Sequence, residues 1–210
     1  MSQSVVIVGA GGHAKVCIEL LRATGVPVAC CIGGADSKEF CLDVAVLKGD
    51  HHLATLRERG HELAFVAIGS NALRQRLAAT VRALGFNLVN AISPNAVVSH
   101  SARLGTGIAI MAGAVINADA TIGDLSIINT LASVDHDGTI GEAVHIAPHC
   151  GLAGNVHVAT RAFLGVGCKV LPGVFIGADA VAGAGSVIIS NVAPNARIVG
   201  VPAKNLKERT

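Results

Sequence analysis

The sequence predicts two unlike units: a small α/β unit with a parallel sheet, then an all-β coil of hexapeptide repeats. Three observations carry this. The apolar run Val5-Val6-Ile7-Val8 leads into Gly9-Ala10-Gly11-Gly12 and then a helical pattern. From Ile92 to Ile176, Ile, Leu or Val opens fifteen successive hexads. The chain holds five Phe and no Trp or Tyr, which suits a narrow core of aliphatic and small side chains rather than an ordinary globular one.

Within residues 1–90, strand patterns at 4–8, 28–32 and 63–68 alternate with helical patterns at 12–24, 50–59 and 71–84, as a small parallel sheet requires. The opening stretch MSQSVVIVGAGG has no cationic leader and reads as the first strand. Residues 91–193 form the repeat, entered through Ser93-Pro94. Small residues recur at the fifth hexad position, as at Ala114, Ala120, Ser126, Ala132, Cys150 and Cys168. A fixed period sustained this long marks a solenoid. First and fifth side chains point inward, and three hexads close a triangular turn, so residues 18 apart stack about 4.8 Å apart. Residues 194–210 leave the period and end in a polar, basic tail.

A net charge of +2 and a pI near 8.3 give no basic face, so no nucleic-acid partner is expected. Mean hydropathy is high, +0.60, but no run reaches the roughly 18 apolar residues of a spanning helix, so no membrane insertion is expected. Cysteines 17, 30, 31, 41, 150 and 168 form no CxxC pair. Reduced thiols in the cytoplasm are the expectation.

Gly9-Ala10-Gly11-Gly12-His13-Ala14 satisfies the GxGxxA fingerprint of a Rossmann-like turn, and Asp36 lies near the end of the second strand. Ninety residues hold only one mononucleotide-binding half, so a nucleotide carried by the substrate fits better than a redox dinucleotide. The glycines alone would serve close strand–helix packing; His13 at the helix start points further, to a phosphate or a sugar hydroxyl. In the repeat, His136 takes the third position of VDHDGT and points outward. Its neighbours one turn away are the tiny Ala118 and Gly154, which leave a groove beside the imidazole. Of the flanking Asp135 and Asp137, the second is expected to fix the tautomer of a general base. A merely solvated histidine is the plainer alternative. His145 and His149 leave the coil in different directions, and His136 lies on another side. One subunit therefore offers no tetrahedral metal site, and no metal is expected. Cys150 and Cys168, both at fifth positions, read as inert packing thiols.

With the glycine–His turn, the unbroken hexads, INTLASVDHD and the closing GVPAK all in place, the whole chain resembles the bacterial hexapeptide-repeat nucleotide-sugar N-acetyltransferases, including their GDP-perosamine and UDP-4-amino-sugar branches. The resemblance implies a left-handed β-helix, against the usual crossover rule. It also implies a homotrimer with active sites between adjacent subunits, acetyl-CoA as co-substrate, a nucleotide-linked aminosugar as acceptor, and a place in O-antigen and lipopolysaccharide biosynthesis. By motif, His136 resembles the general base, Asp137 its acidic neighbour, and His145 the histidine that meets the acetyl end of acetyl-CoA. Gly154, Val166 and Ala184 match positions lining the cofactor arm. Gly11, Gly12, His13 and Gly69 match residues holding the nucleotide sugar, with Asn71 nearby. One departure stands out: the family places Asp directly after the second strand, where CIGGADSK has Gly33 and Gly34, with Asp36 only later. Rival readings are a sialic-acid-type sugar O-acetyltransferase, a β-helix zinc hydratase and a non-catalytic nucleotide sensor. A subunit interface is expected over an exposed apolar patch at Ile110, Met111, Ile127 and Leu131.

Overall fold

The computed structural model describes residues 4–206. Met1–Gln3, part of the stretch expected to carry no leader, and the basic end of the tail, 207–210, lie outside the described residues. The chain divides into two compact units, Met1–Pro94 and Asn95–Thr210.

In the first unit, β1 (Val5–Val8), α1 (Gly12–Ala23), β2 (Val28–Gly33), β3 (Phe40–Cys41), β4 (Val44–Lys48), α2 (His52–Glu58), β5 (Leu63–Val66), α3 (Asn71–Ala83) and β6 (Asn87–Leu88) build one sheet in the order β3-β4-β2-β1-β5-β6. All pairings are parallel except β3 with β4. β1 is buried throughout, and its unbroken run of Val and Ile suits a central strand covered on both faces. α1 buries Ala14, Cys17, Ile18 and Leu21 at helical spacing. Strand order reverses at β1, with β2 on one side and β5 on the other. The crevice at the carboxyl end of β1, where the glycine turn sits, is therefore the place an open α/β sheet binds ligands.

The second unit is a left-handed parallel β-helix. Its walls pair residues 18 apart: Val115 with Ser133 and Gly151 on one, Thr121 with Thr139 and His157 on the next, and Ile127 with His145 and Phe163 on the third. First-position Ile116, Ile122, Ile128 and Val134, and fifth-position Ala114, Ala120, Ser126 and Ala132, are all buried. The corners obey a rule of their own. The fourth position takes a left-handed φ near +60° even where it is not glycine, as at Leu131, Asp137, His149, Asn155 and Arg161. Its N–H donates to the third-position carbonyl one turn earlier: Leu131 to Ala112 at 3.1 Å, Asp137 to Ala118 at 3.0 Å, and Asn155 to His136 at 2.9 Å. These repeated bonds offset the roughly 1–2 kcal/mol that an L-residue loses in that conformation.

After Ile188 the spacing drops. Arg197 pairs with Val181, 16 residues back, and Lys204–Asn205 returns antiparallel. Among the described residues, no helix is long and apolar enough to cross a membrane.

The exposed apolar patch does not form as expected. Ile110, Met111 and Ile127 are 0%, 2% and 1% exposed, and only Leu131, at 53%, faces solvent. Ile110 is a first-position residue and points into the coil. Met111 and Ile127 show that an outward direction from a coil does not by itself decide exposure.

Candidate active site

In the first unit, Gly11, Gly12 and Asp36 come together with Lys15, Lys38 and Phe40 around a cleft of about 660 Å³. α1 starts here with Gly11 at its N-cap, without a side-chain cap and without an acidic residue in its first turn. Its N–H groups and partial positive charge suit an anion. A Cβ at Gly33 would stand 2.5 Å from Ser37 Oγ and 2.7 Å from Val46 Cγ1, whereas one at Gly34 would meet nothing within 4 Å. Asp36 reaches the cleft from the following loop. Phe40, 58% exposed in a chain with five Phe, went unremarked in the sequence, as did the two lysines. Lys15, one turn beyond the glycines on α1, was the detectable signal.

His13 is half-buried in the first turn of α1. Burial, reinforced by Arg74, pushes its pKa down to about 4, so it is neutral at pH 7. The sulfur of Cys17 lies 3.6 Å from Nε2, and burial pushes that thiol up to about 12. Both groups are therefore uncharged at pH 7, and they pair through Sγ and Nε2. His13 offers a ligand a neutral imidazole rather than a charge. Asn71 opens α3, and Gly69 lies in the turn that joins it to β5, the neighbour of β1. The side chain that reaches both is one the sequence reading passed over: Arg74, whose guanidinium donates to the carbonyls of Ile68 (2.8 Å) and Gly69 (3.1 Å) and to Asn71 Oδ1 (2.8 Å). Its signal was a charge at helical spacing with the buried Ala78 and Val81.

In the second unit, His136 stands at a corner with its side chain exposed. Nδ1 donates to Asp137 Oδ2 at 2.8 Å, which leaves the Nε2 lone pair facing outward. That bond, with the charges of Asp135 and Asp137, raises the imidazole above its ordinary pKa. Asp135 accepts the His136 backbone N–H (2.8 Å) and the amide of Asn117 (2.9 Å) through one oxygen. The ring lies against Gly154: a Cβ there would be 2.5 Å from Cε1.

His145 lies on another wall, edge-on to Phe163 at 5.2 Å. Asn129 Oδ1 accepts the Thr130 N–H at 2.8 Å, which orients the amide so that Nδ2 donates to His145 Nε2 at 3.1 Å. The expected cofactor residues thus split. Gly154 shares the corner of His136, whereas Val166 and Ala184 are exposed at the corner that follows the wall of His145. Among the described residues no cluster of three His, Cys, Asp or Glu could hold a metal. Cys150 and Cys168 point inward, their thiols donating to the carbonyls of Gly165 (3.1 Å) and Gly183 (3.2 Å).

Residues 4–81 match the family model described as the PglD N-terminal domain. A putative acetyltransferase of Schizosaccharomyces pombe is 40% identical over 53 residues, 25% of this chain and 26% of that protein. The UDP-N-acetylbacillosamine N-acetyltransferase of Bacillus subtilis is 37% identical over 112 residues, 52% of each chain. The chain therefore spans between a quarter and about half the length of these curated relatives. Solved structures match nearly the whole chain, two of them as follows. One is a mutant of perosamine N-acetyltransferase from Caulobacter crescentus in complex with CoA and GDP-perosamine, 54% identical with a TM-score of 0.96 over 98% of this chain and 97% of that one. The other is the acetyltransferase domain of PglB from Neisseria gonorrhoeae with acetyl coenzyme A, 33% identical with a TM-score of 0.91 over 98% of this chain and 100% of that one. On this agreement in sequence and fold over its full length, the chain belongs to the hexapeptide-repeat nucleotide-sugar N-acetyltransferases.

Proposed function

We propose that this protein transfers an acetyl group from acetyl-CoA to the amino group of a nucleotide-activated aminosugar, GDP-perosamine or a related 4-amino sugar. The observation that carries the reading is the His136–Asp137 pair set over a bare Gly154 in a chain 54% identical to an enzyme solved with CoA and GDP-perosamine. Residues 1–90 bind the nucleotide sugar, 91–193 form the acetyl-transfer coil, and 194–210 are its tail.

The sugar amine attacks the thioester carbonyl, and Nε2 of His136 takes the proton that the nitrogen loses as the C–N bond forms. The C–S bond then breaks. Coenzyme A leaves as the thiolate or takes that proton back from the imidazolium. Asp137 steadies the cation while it exists. Backbone N–H groups beside His145 stabilise the oxyanion. Holding both substrates in line supplies much of the rate, so no acyl-enzyme is needed.

His136 and the set His145, Val166 and Ala184 leave the coil at different places. One groove can collect both only where two copies meet, which supports a homotrimer with sites between subunits. Six buried free thiols support a cytoplasmic location.

The test is thiol release from acetyl-CoA with a panel of GDP-, UDP- and dTDP-linked 4-aminosugars and their 4-hydroxy counterparts. Turnover with the amines alone is expected. Turnover with the hydroxyl sugars would make the protein an O-acetyltransferase, and binding without turnover would make it a sensor.

A further inference from the structure

We infer that Arg74 is a positioning residue for the nucleotide sugar, holding the turn 68–71 at the start of α3 in shape. The inference rests on the reading of the first unit as the nucleotide-sugar site.

Three of the residues picked out for substrate binding, His13, Gly69 and Asn71, lie on two separate helix starts. β1 and β5 are neighbours, and the Ala67 N–H donates to the Val8 carbonyl at 2.8 Å, so both starts open on the same end of the sheet. Arg74 is 1% exposed and occupies a stripe of α3 where an aliphatic side chain would pack at less cost. One guanidinium nitrogen reaches the carbonyls of Ile68 and Gly69, and the other reaches Asn71 Oδ1. That spread needs a planar fork, which a lysine lacks. Ser70, at the N-cap of α3, makes no side-chain cap bond. The turn is therefore shaped from beneath by Arg74 rather than by the usual serine. Gly69 and Ser70 remain exposed.

The test compares wild type with Arg74→Met, which keeps the volume, and Arg74→Lys, which keeps the charge. Arg74→Met is expected to raise KM for the nucleotide sugar about tenfold or more, the scale of one lost charge-assisted bond. kcat and KM for acetyl-CoA should stay within about twofold of wild type, and Arg74→Lys should recover part of the loss. A purely structural role would instead lower the active fraction, reducing kcat at constant KM. That result, an unchanged KM in both variants, or failure of both to fold, overturns the proposal. Calorimetric titration of wild type with GDP and with UDP separates the two levels. Binding of neither would sink the nucleotide-site reading itself. Binding by wild type and by Arg74→Met with equal affinity would sink only the role of Arg74.

Discussion

A Cβ on Gly154 would stand 2.6 Å from Nε2 of His136, so the imidazole occupies the space that this glycine leaves empty. Gly154 has no left-handed φ, and alanine there strains no backbone. Gly154→Ala should therefore leave the melting temperature within a few degrees of wild type but push the ring off its seat. A fall in kcat of roughly 10-fold or more is expected, as misplacement of a catalytic group is costly. Unchanged kcat would show that the seat does not matter.

Replacing His136 with Ala or Asn should lower kcat by roughly 10²–10⁴-fold, the usual worth of a positioned base. Its side chain is 61% exposed, so folding and acetyl-CoA affinity should hold. The pH profile gives an independent check. Asp137 raises the imidazole pKa, and the base works only when neutral. The acid limb of kcat/KM for the free enzyme should thus have its midpoint above 6.5, and Asp137→Asn should move that midpoint down. A wild-type midpoint below 6.5, or no movement in Asp137→Asn, would count against His136 as the base.

His13 titrates in the opposite sense. Its folded pKa of about 4 lies below the unfolded value of 6.5, so the unfolded chain binds the extra proton between those values. Stability is fully present above pH 6.5 and is lost as pH falls towards 4, by up to about 3 kcal/mol. Denaturant unfolding at pH 7 and pH 4 should show His13→Asn losing less over that window than wild type. Equal losses would place the acid sensitivity elsewhere.

If sites lie between copies, His136→Ala and His145→Ala chains should complement. Unfolded, mixed and refolded together, they should regain activity that neither has alone, because some interfaces then pair an intact His136 with an intact His145. Mixed oligomers that form without regained activity would confine each site to one chain.

The coil was legible because its signal is repeated: one side chain in six points the same way seventeen hexads over, and inward positions such as Ile128 and Ala132 are buried accordingly. The helices of the first unit were legible from apolar spacing. β3, β4 and β6 were not. β3 and β6 are two residues long, and β4 faces solvent in part, so none carries a full period. His136 could be picked out because its partners are adjacent or one turn away. Arg74 gave only the faint signal of a charge on a buried stripe, since two of its three bonds run to backbone carbonyls, which have no letter in a sequence. The failed patch at Met111 and Ile127 has a similar origin. What covers an outward side chain is a fact of tertiary packing, and the hexad period holds only the direction.

The 18-residue stacking of the walls also makes the coil a ruler. Removing one hexad between His136 and Gly154 would rotate every later corner by a third of a revolution, carrying Gly154 out from under His136. Removing three would bring each wall back into phase and shorten the coil by about 4.8 Å. Length in this half of the molecule is quantised, and only whole revolutions leave the chemistry aligned.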